Sequence, residues 1–465
     1  MKEIISYSER DTCMGYLLIA SLVIFVVTLF LIIVRPRKMN LGLAAGAGAL
    51  ASLIFGTVSL QEALNSLEII WDAALAFIGI VLLSVTLDVI GFFRWAALKV
   101  VLMARGRGIR LYFYVALLTA AVSILFANDS AILILTPIVV EIIRELKIDK
   151  AGSLAYLFGA GLIADTAAMP LITSNPINIV SADYFHYSFL DHFFMMGLVS
   201  LATVGVSLAI VFLFFRKQIP RSYTIEPIED LIKSGPVIRP LWLKASFVTL
   251  IAIDIGYIIT SLNHIYVSFV ICLGALSLLL FYFLTYKKTI KKPEERKGIF
   301  FILKRVNWDI LAFMIGIFLV VQGLKHVGII NFFASLFVDS SALPSILSIL
   351  VPSLIVTFGA SAMNNWPMTM LGLLSVNQAF PSILGAQSRT GLVFSNIIGN
   401  NLGPHFFPVG SLAILMWMGV LKNKGITIRI RDYLKIGALL SLIEVGVASL
   451  VLWIELNWLQ MFLPL

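Results

Sequence analysis

Phe126-Ala127-Asn128-Asp129-Ser130 closes one long apolar run, and Ser361-Ala362-Met363-Asn364-Asn365-Trp366-Pro367 closes another. Asn128 and Asn364 stand 236 positions apart. A second pair of landmarks follows at nearly the same offset. Leu162-Ile163-Ala164-Asp165-Thr166 precedes Pro170 and Ser174-Asn175-Pro176-Ile177-Asn178, and Ile397-Ile398-Gly399-Asn400-Asn401 precedes Pro404, Pro408 and Gly410-Ser411. Asp165 and Asn400 are 235 positions apart. Two polar breaks at matched spacing, each set inside apolar sequence, argue for an internal repeat.

The surroundings of these breaks fix the class. The chain has 465 residues, 60% hydrophobic and 13% charged, against about 25% charged in a soluble globular chain. Crossing a bilayer as helix takes about 20 apolar residues. Runs near that length occur at 16–34, 73–93, 193–215, 266–284 and 433–454, with shorter ones between them. The expectation is an all-α polytopic membrane protein with about 10–12 transmembrane helices. A β-barrel is not expected, since its strands are short and alternating.

The formal charge of +9 is confined to loops. No Lys or Arg lies between Lys38 and Arg94, between Arg110 and Arg144, or between Lys150 and Arg216. Loop-confined positive charge follows the positive-inside rule rather than a nucleic-acid footprint. It places the basic loops in the cytoplasm and the chain in the inner (plasma) membrane as a multi-pass protein. The two cysteines, Cys13 and Cys272, give neither a metal spacing nor a disulfide framework. The first apolar run reads as an uncleaved helix, because it lacks a small-residue cleavage site.

Loop polarity then orients the repeats. Basic 94–110 precedes the first copy, whereas uncharged 340–345 precedes the second. The stretch 183–194, without Lys or Arg, follows the first copy, whereas basic 422–435 follows the second. Opposite charge on equivalent loops predicts two inverted-topology repeats with broken helices or re-entrant hairpins, a plan common in secondary transporters. The segment 216–242, with Pro220, Pro227, Pro236 and Pro240 among mixed charges, reads as a cytoplasmic linker between a first half (1–215) and a second (243–465).

A helix broken at membrane depth must line a cavity or be buried in protein. The prolines of the two breaks sit among Asn128, Ser174, Asn175, Asn178, Asn364, Asn365, Asn400, Asn401 and Ser411, which are therefore the candidate solute ligands. The competing reading is a set of proline kinks satisfied by neighbouring hydroxyls. Asp129 and Asp165 have Asn365 and Asn400 as repeat partners, which cannot titrate. A carboxylate at mid-membrane depth costs on the order of 3 kcal/mol, so these two are the candidate proton carriers. Asp88 reads equally well as an interfacial ion pair, Asp254 has no assigned role, and His405 reads as a packed or hydrogen-bonded side chain. The clusters contain no Lys, Arg or Cys. They favour a neutral polyol-like solute or a cation, and no metal site or cofactor is expected. A membrane enzyme is disfavoured, since no nucleophile motif or cofactor loop is present.

The stretch 126–139, Ser174-Asn175-Pro176-Ile177-Asn178-Ile179-Val180, Met363-Asn364-Asn365 before Pro367, and 399–413 with Asn401-Leu402-Gly403-Pro404 resemble the arsenical pump membrane proteins of the ion transporter superfamily. Leu87-Asp88, Gly91-Phe92-Phe93 and Trp95-Ala96-Ala97 add to the match, although the acidic residue that the family pattern carries after Asp88 is here Val89. The resemblance implies export of neutral trivalent arsenite and antimonite hydroxides in exchange for protons, by alternating access. It also implies a soluble arsenical ATPase as a partner of some members. Sodium/proton antiporters and silicic acid exporters share similar asparagine motifs and supply the alternative functions.

Overall fold

The computed structural model describes residues 2–464 apart from 227, 230–236, 264, 291–296 and 384, with the side chains of 2–14 and 38 also left out. Pro227 and Pro236 of the linker, and the side chain of Cys13, lie outside the described residues. The described elements are helical. In the first half they are α1 Lys2–Val34, α2 Leu41–Ile54, α3 Leu60–Ile90, α4 Phe92–Ala104, α5 Gly108–Phe126, α6 Asn128–Glu145, α7 Lys150–Thr166, α8 Pro176–Phe185 and α9 Phe189–Phe215. The second half holds α10 Pro240–Asn263, α11 Val267–Thr289, α12 Ile299–Arg305, α13 Trp308–Gln322, α14 Ile329–Ser341, α15 Leu347–Met363, α16 Asn365–Ala379, α17 Ala386–Leu402, α18 Leu412–Asn423 and α19 Ile430–Asn457. Eight described helices are long and apolar enough to cross a membrane, and four shorter apolar helices accompany them.

The surface is inverted relative to a soluble protein. Leu201, Leu262, Leu273 and Leu284 are among many large apolar side chains left exposed, while polar residues are buried at the centre. Lipid tails are as apolar as leucine, so packing between helices relies on close approach rather than on a hydrophobic drive. The contact of α15 with α17 shows how. A methyl placed on Gly399 would lie 2.5 Å from Val356 Cβ, and one on Gly403 would lie 2.7 Å from the Thr357 carbonyl. Gly399 lies near the end of α17 and Gly403 immediately after it, and their lack of side chains lets the backbones meet.

The order of elements repeats. In each half a helix pair is followed by a long helix, a sharp break, a second helix, and then a hairpin whose two arms are separated by 3-10 turns (172–174 in the first half, 403–405 and 408–410 in the second). The breaks match in backbone as well as in place. Ala127, between α5 and α6, has φ 64° and ψ 148°, and Asn364, between α15 and α16, has φ 80° and ψ 151°. That region is all but closed to residues other than glycine and costs about 1–3 kcal/mol, so surrounding structure must hold it. The residue before each hairpin's second arm is extended in both halves, Asn175 at φ −150° and Ser411 at φ −122°. The first pair places Ala127, not Asn128, opposite Asn364, one residue from the register that the asparagine motifs suggest, whereas Asn175 and Ser411 keep the 236-residue offset of those motifs.

The halves interlock through their second hairpin arms. Helix α8 packs on α16, and α18 packs on α6, so each arm lies against the post-break helix of the other half. Helix α9 packs on α19, α2 on α13, and α3 on α11. Helix α10 begins at Pro240, three residues inside the expected linker; proline is favoured in the first helical turn because its missing N–H is not needed there. The start of the linker is tied to the loop after α4, where the Tyr223 amide donates to the Gly106 carbonyl and the Tyr223 hydroxyl to the Val101 carbonyl.

Candidate functional site

Each break delivers polar side chains to the interface of the halves. Helix α7 ends at Thr166, which leaves Asp165 in its last turn, buried. Helix α6 starts at Asn128, so Asn128 and Asp129 occupy its first turn, both buried. A carboxylate at a helix N-terminus is favoured by the helix dipole. Asn128 Nδ2 donates to Asp165 Oδ1 at 2.7 Å, and Asn128 Oδ1 accepts from the Asp129 amide. The break at Ala127 and the end of α7 are thus joined side chain to side chain.

The second half completes this centre. Ser411 Oγ donates to Asp165 Oδ1 at 3.4 Å and also caps α18 by accepting from the Ile414 amide. His405, in the 3-10 turn after α17, holds Nε2 3.5 Å from Asp165 Oδ2 and Nδ1 2.7 Å from Glu444 Oε2. Glu444 projects from α19 and is fully buried. Its Oε1 accepts from Thr166 Oγ1 at 2.7 Å and from the Ser207 hydroxyl of α9. Among the described residues, none of the hydrogen bonds or ion pairs at this centre involves a Lys or Arg.

A second set of amides ties the hairpins together. Asn175 Nδ2 donates to Asn401 Oδ1 at 2.9 Å, and Asn401 Nδ2 donates to Asn178 Oδ1 at 3.0 Å. Asn178 Nδ2 in turn satisfies the Ala168 and Leu171 carbonyls of the unwound segment. Ser174 accepts from the Leu171 amide and donates to the Ile124 carbonyl. Asn364 donates to the Val409 carbonyl and caps α16 through Trp366. Asn400 donates within its own helix to Asn396.

The structure therefore sorts the sequence candidates. Asn128, Asp129, Asp165 and Ser411 gather in one carboxylate centre. Asn175, Asn178 and Asn401 form a cross-half lock. Ser174 and Asn364 spend their hydrogen bonds on the unwound backbone. Asn365 Oδ1 and Asn400 Oδ1 are buried and have no hydrogen-bond partner. An unpaired buried acceptor costs about 1–3 kcal/mol, so these two oxygens are the amide atoms of the set free to receive a donor.

The remaining acids separate cleanly. Asp88 pairs with Arg305 at 2.7 Å, while Arg94 pairs with Glu141 at 3.1 Å. Asp254 is exposed on a face of α10 that also exposes Ile251, Ile255 and Ile258. Glu444 was not among the residues singled out from the sequence. Its signal was available, since it is a lone acid inside the apolar run 433–454. The role of His405 as a bridge between two carboxylates had no sequence signal, because neither partner is near it in the chain.

Apolar helices, a paired hairpin architecture and a buried acid–amide centre between the halves define a polytopic membrane transporter. A family model described as arsenical pump membrane protein matches residues 20–456, and the chain belongs to that family. An arsenical pump membrane protein of Escherichia coli (strain K12) is 34% identical over 438 residues, covering 94% of this chain and 98% of that protein. A putative arsenical pump membrane protein of Bacillus subtilis (strain 168) is 25% identical over 455 residues, covering 94% of this chain and 99% of the relative. Among solved structures, that of the Alcanivorax borkumensis YdaH transporter, whose topology is described as unusual, superposes with a TM-score of 0.53 at 12% identity, over 86% of this chain and 90% of that one. This last likeness concerns the fold alone.

Proposed function

We propose that the chain exports trivalent arsenic and antimony, as their neutral hydroxides, in exchange for protons by alternating access. The family membership and the names of the relatives support the solute. The observation that carries the coupling is the carboxylate centre, where Asp165 of the first half meets Ser411 and His405 of the second. A neutral hydroxide needs hydrogen-bond donors and acceptors but no counter-charge. Oxygen and amide groups bind such a solute weakly enough to release it.

The two halves act as inverted repeats, 1–215 and 243–465, that rock about the interlocked hairpins. Asn128, Ser411, Asn365 and Asn400 face the solute, and Asn175, Asn178, Asn401, Ser174 and Asn364 hold the unwound segments in shape. Protonation of Asp129 and Asp165 from the outer side weakens solute binding there and drives release outward. The coupled step is a competition for the same oxygens. Asp165 accepts hydrogen bonds from the solute when ionised and loses acceptor capacity when protonated.

Everted membrane vesicles test both parts. Arsenite accumulation is measured with and without a proton gradient, for the natural chain and for Asp129→Asn and Asp165→Asn. Gradient-dependent accumulation that each substitution abolishes is the expected result. Full gradient-driven accumulation in both variants removes the acids from the mechanism. Accumulation that follows sodium, or that prefers silicic acid, moves the chain to the alternative solutes.

A further inference from the structure

Among the described residues, His405 is the only basic side chain in the bonds of the carboxylate centre, and its ring faces a different acid at each nitrogen. Nδ1 lies 2.7 Å from Glu444 Oε2, a charge-assisted hydrogen-bond length. Nε2 lies 3.5 Å from Asp165 Oδ2, an ion-pair distance at which the two are not aligned as a hydrogen bond, with the Leu162 backbone also close to the ring. An imidazole can point N–H groups at two carboxylates only when it carries the extra proton. Two acids, Asp165 and Glu444, face this ring, Asp129 lies beyond Asp165 in the same buried cluster, and the Tyr433 hydroxyl is bonded to the Pro404 carbonyl next to it in the chain. Ionised together and unpaired, those acids would carry a desolvation cost of several kcal/mol per charge. A proton held on the ring relieves it.

The two acids on the ring differ in what else they touch. Glu444 is enclosed, its other oxygen taken up by Thr166 and Ser207. Asp165 opens towards Asn128, Ser411 and Asp129, on the solute side. The ring itself belongs to the second half and Asp165 to the first, so the 3.5 Å gap spans the two moving parts.

We propose that His405, fixed in place by Glu444, is a second proton-holding site behind Asp165, and that one proton crosses the gap between them in each transport cycle. The inference rests on the proton-exchange reading above. In the transfer the Nε2–H bond of the imidazolium breaks and an O–H bond forms at Asp165 Oδ2. The ring becomes neutral, and its Nδ1–H still donates to the Glu444 carboxylate. Asp165, now a neutral acid, releases the solute's donors. Asp165 then gives its proton up to the inner side, which leaves it ionised for the next solute, and a proton from the outer side reloads the ring. Glu444 is a positioning residue in this scheme. It stabilises the imidazolium and never needs to give up its charge.

The test uses the full chain in proteoliposomes with antimonite as the probe. Two readouts are taken for each variant: antimonite counterflow without a pH gradient, and antimonite uptake driven by an imposed gradient over a range of pH. Glu444→Gln keeps the shape and removes the charge. Counterflow should persist. Gradient-driven uptake should fall by about tenfold or more, the change that a one-unit shift in the ring's proton affinity produces, and its pH profile should move to lower pH. His405→Gln should lose gradient-driven uptake by a larger factor than counterflow, and Glu444→Asp should keep part of the driven uptake that Glu444→Gln loses. Unchanged gradient-driven uptake and pH profile in both Gln variants overturn the proposal. So does joint loss of counterflow and driven uptake that Glu444→Asp leaves unrestored, since that result makes the cluster a structural strut. Absence of any pH response in the natural chain defeats the proton-exchange reading itself, and it shows before any substitution is made.

Discussion

Replacing Asn401 with Ala removes the centre of the amide lock. Asn401 accepts from Asn175 at 2.9 Å and donates to Asn178 at 3.0 Å, and all three side chains are buried. Interhelical hydrogen bonds in membranes average about 0.6 kcal/mol and reach about 1.7. Two such bonds give roughly 1–3 kcal/mol by that scale. The substitution also strands Asn175 Nδ2 and Asn178 Oδ1, at about 1–3 kcal/mol each if nothing replaces the partner. Neighbouring hydroxyls and carbonyls recover part of the second cost, so the expected loss is about 2–4 kcal/mol. The assay is reversible unfolding in mixed detergent micelles, run as two double-mutant cycles that pair Asn401→Ala with Asn175→Ala and with Asn178→Ala. Each cycle should return a coupling energy of about 0.6–1.7 kcal/mol. Additive behaviour, within about 0.3 kcal/mol in both cycles, would show that these amides do not bond to one another. They would then be free solute ligands, and each single substitution should act on solute affinity instead of stability.

Gly399→Ala drives a methyl to 2.5 Å from Val356 Cβ and 2.7 Å from the Ser353 carbonyl, which should destabilise by about 1–3 kcal/mol and lower the melting temperature in detergent. Asp88→Asn breaks a partly exposed ion pair with Arg305, so stability should change by less than about 1 kcal/mol and vesicle transport should stay at the natural level. Ala127→Gly removes the penalty of a side chain at φ 64°, and the melting temperature should rise, reflecting a gain of about 1 kcal/mol. Asn364→Gly relieves the same backbone strain but loses the cap on Trp366 and the bond to Val409, so it should not gain.

Much of the fold was legible because its signals are local. Hydropathy marks the helices, and an asparagine or acid within such a run marks a break or a site through the cost of burying it. Asp129 and Asp165 stand out as candidates in this way, and Glu444 carries the same signal in the run 433–454. The matched spacing of the two polar breaks also pointed to the duplicated order of elements. It gave the register only to within one residue, because motif matching aligns side chains while the break is defined by backbone angles. The expected linker boundary at 242 ran into helix α10 for a related reason, since a proline that ends one segment also starts helices well.

The sequence alone determined that the chain crosses a membrane, that it is built twice, and which polar residues sit at the breaks, since each of these follows from the free energy of short segments in hydrocarbon. Only the tertiary structure decided which of them meet. Asp165 finds Ser411 246 positions away, and Thr166 finds Glu444 278 positions away. Asn401 faces Asn175 and Asn178, while its neighbour Asn400, one helical step round, turns back to Asn396. Such pairings depend on how the hairpins cross and on the angle at which each helix presents its face, and no local preference encodes either.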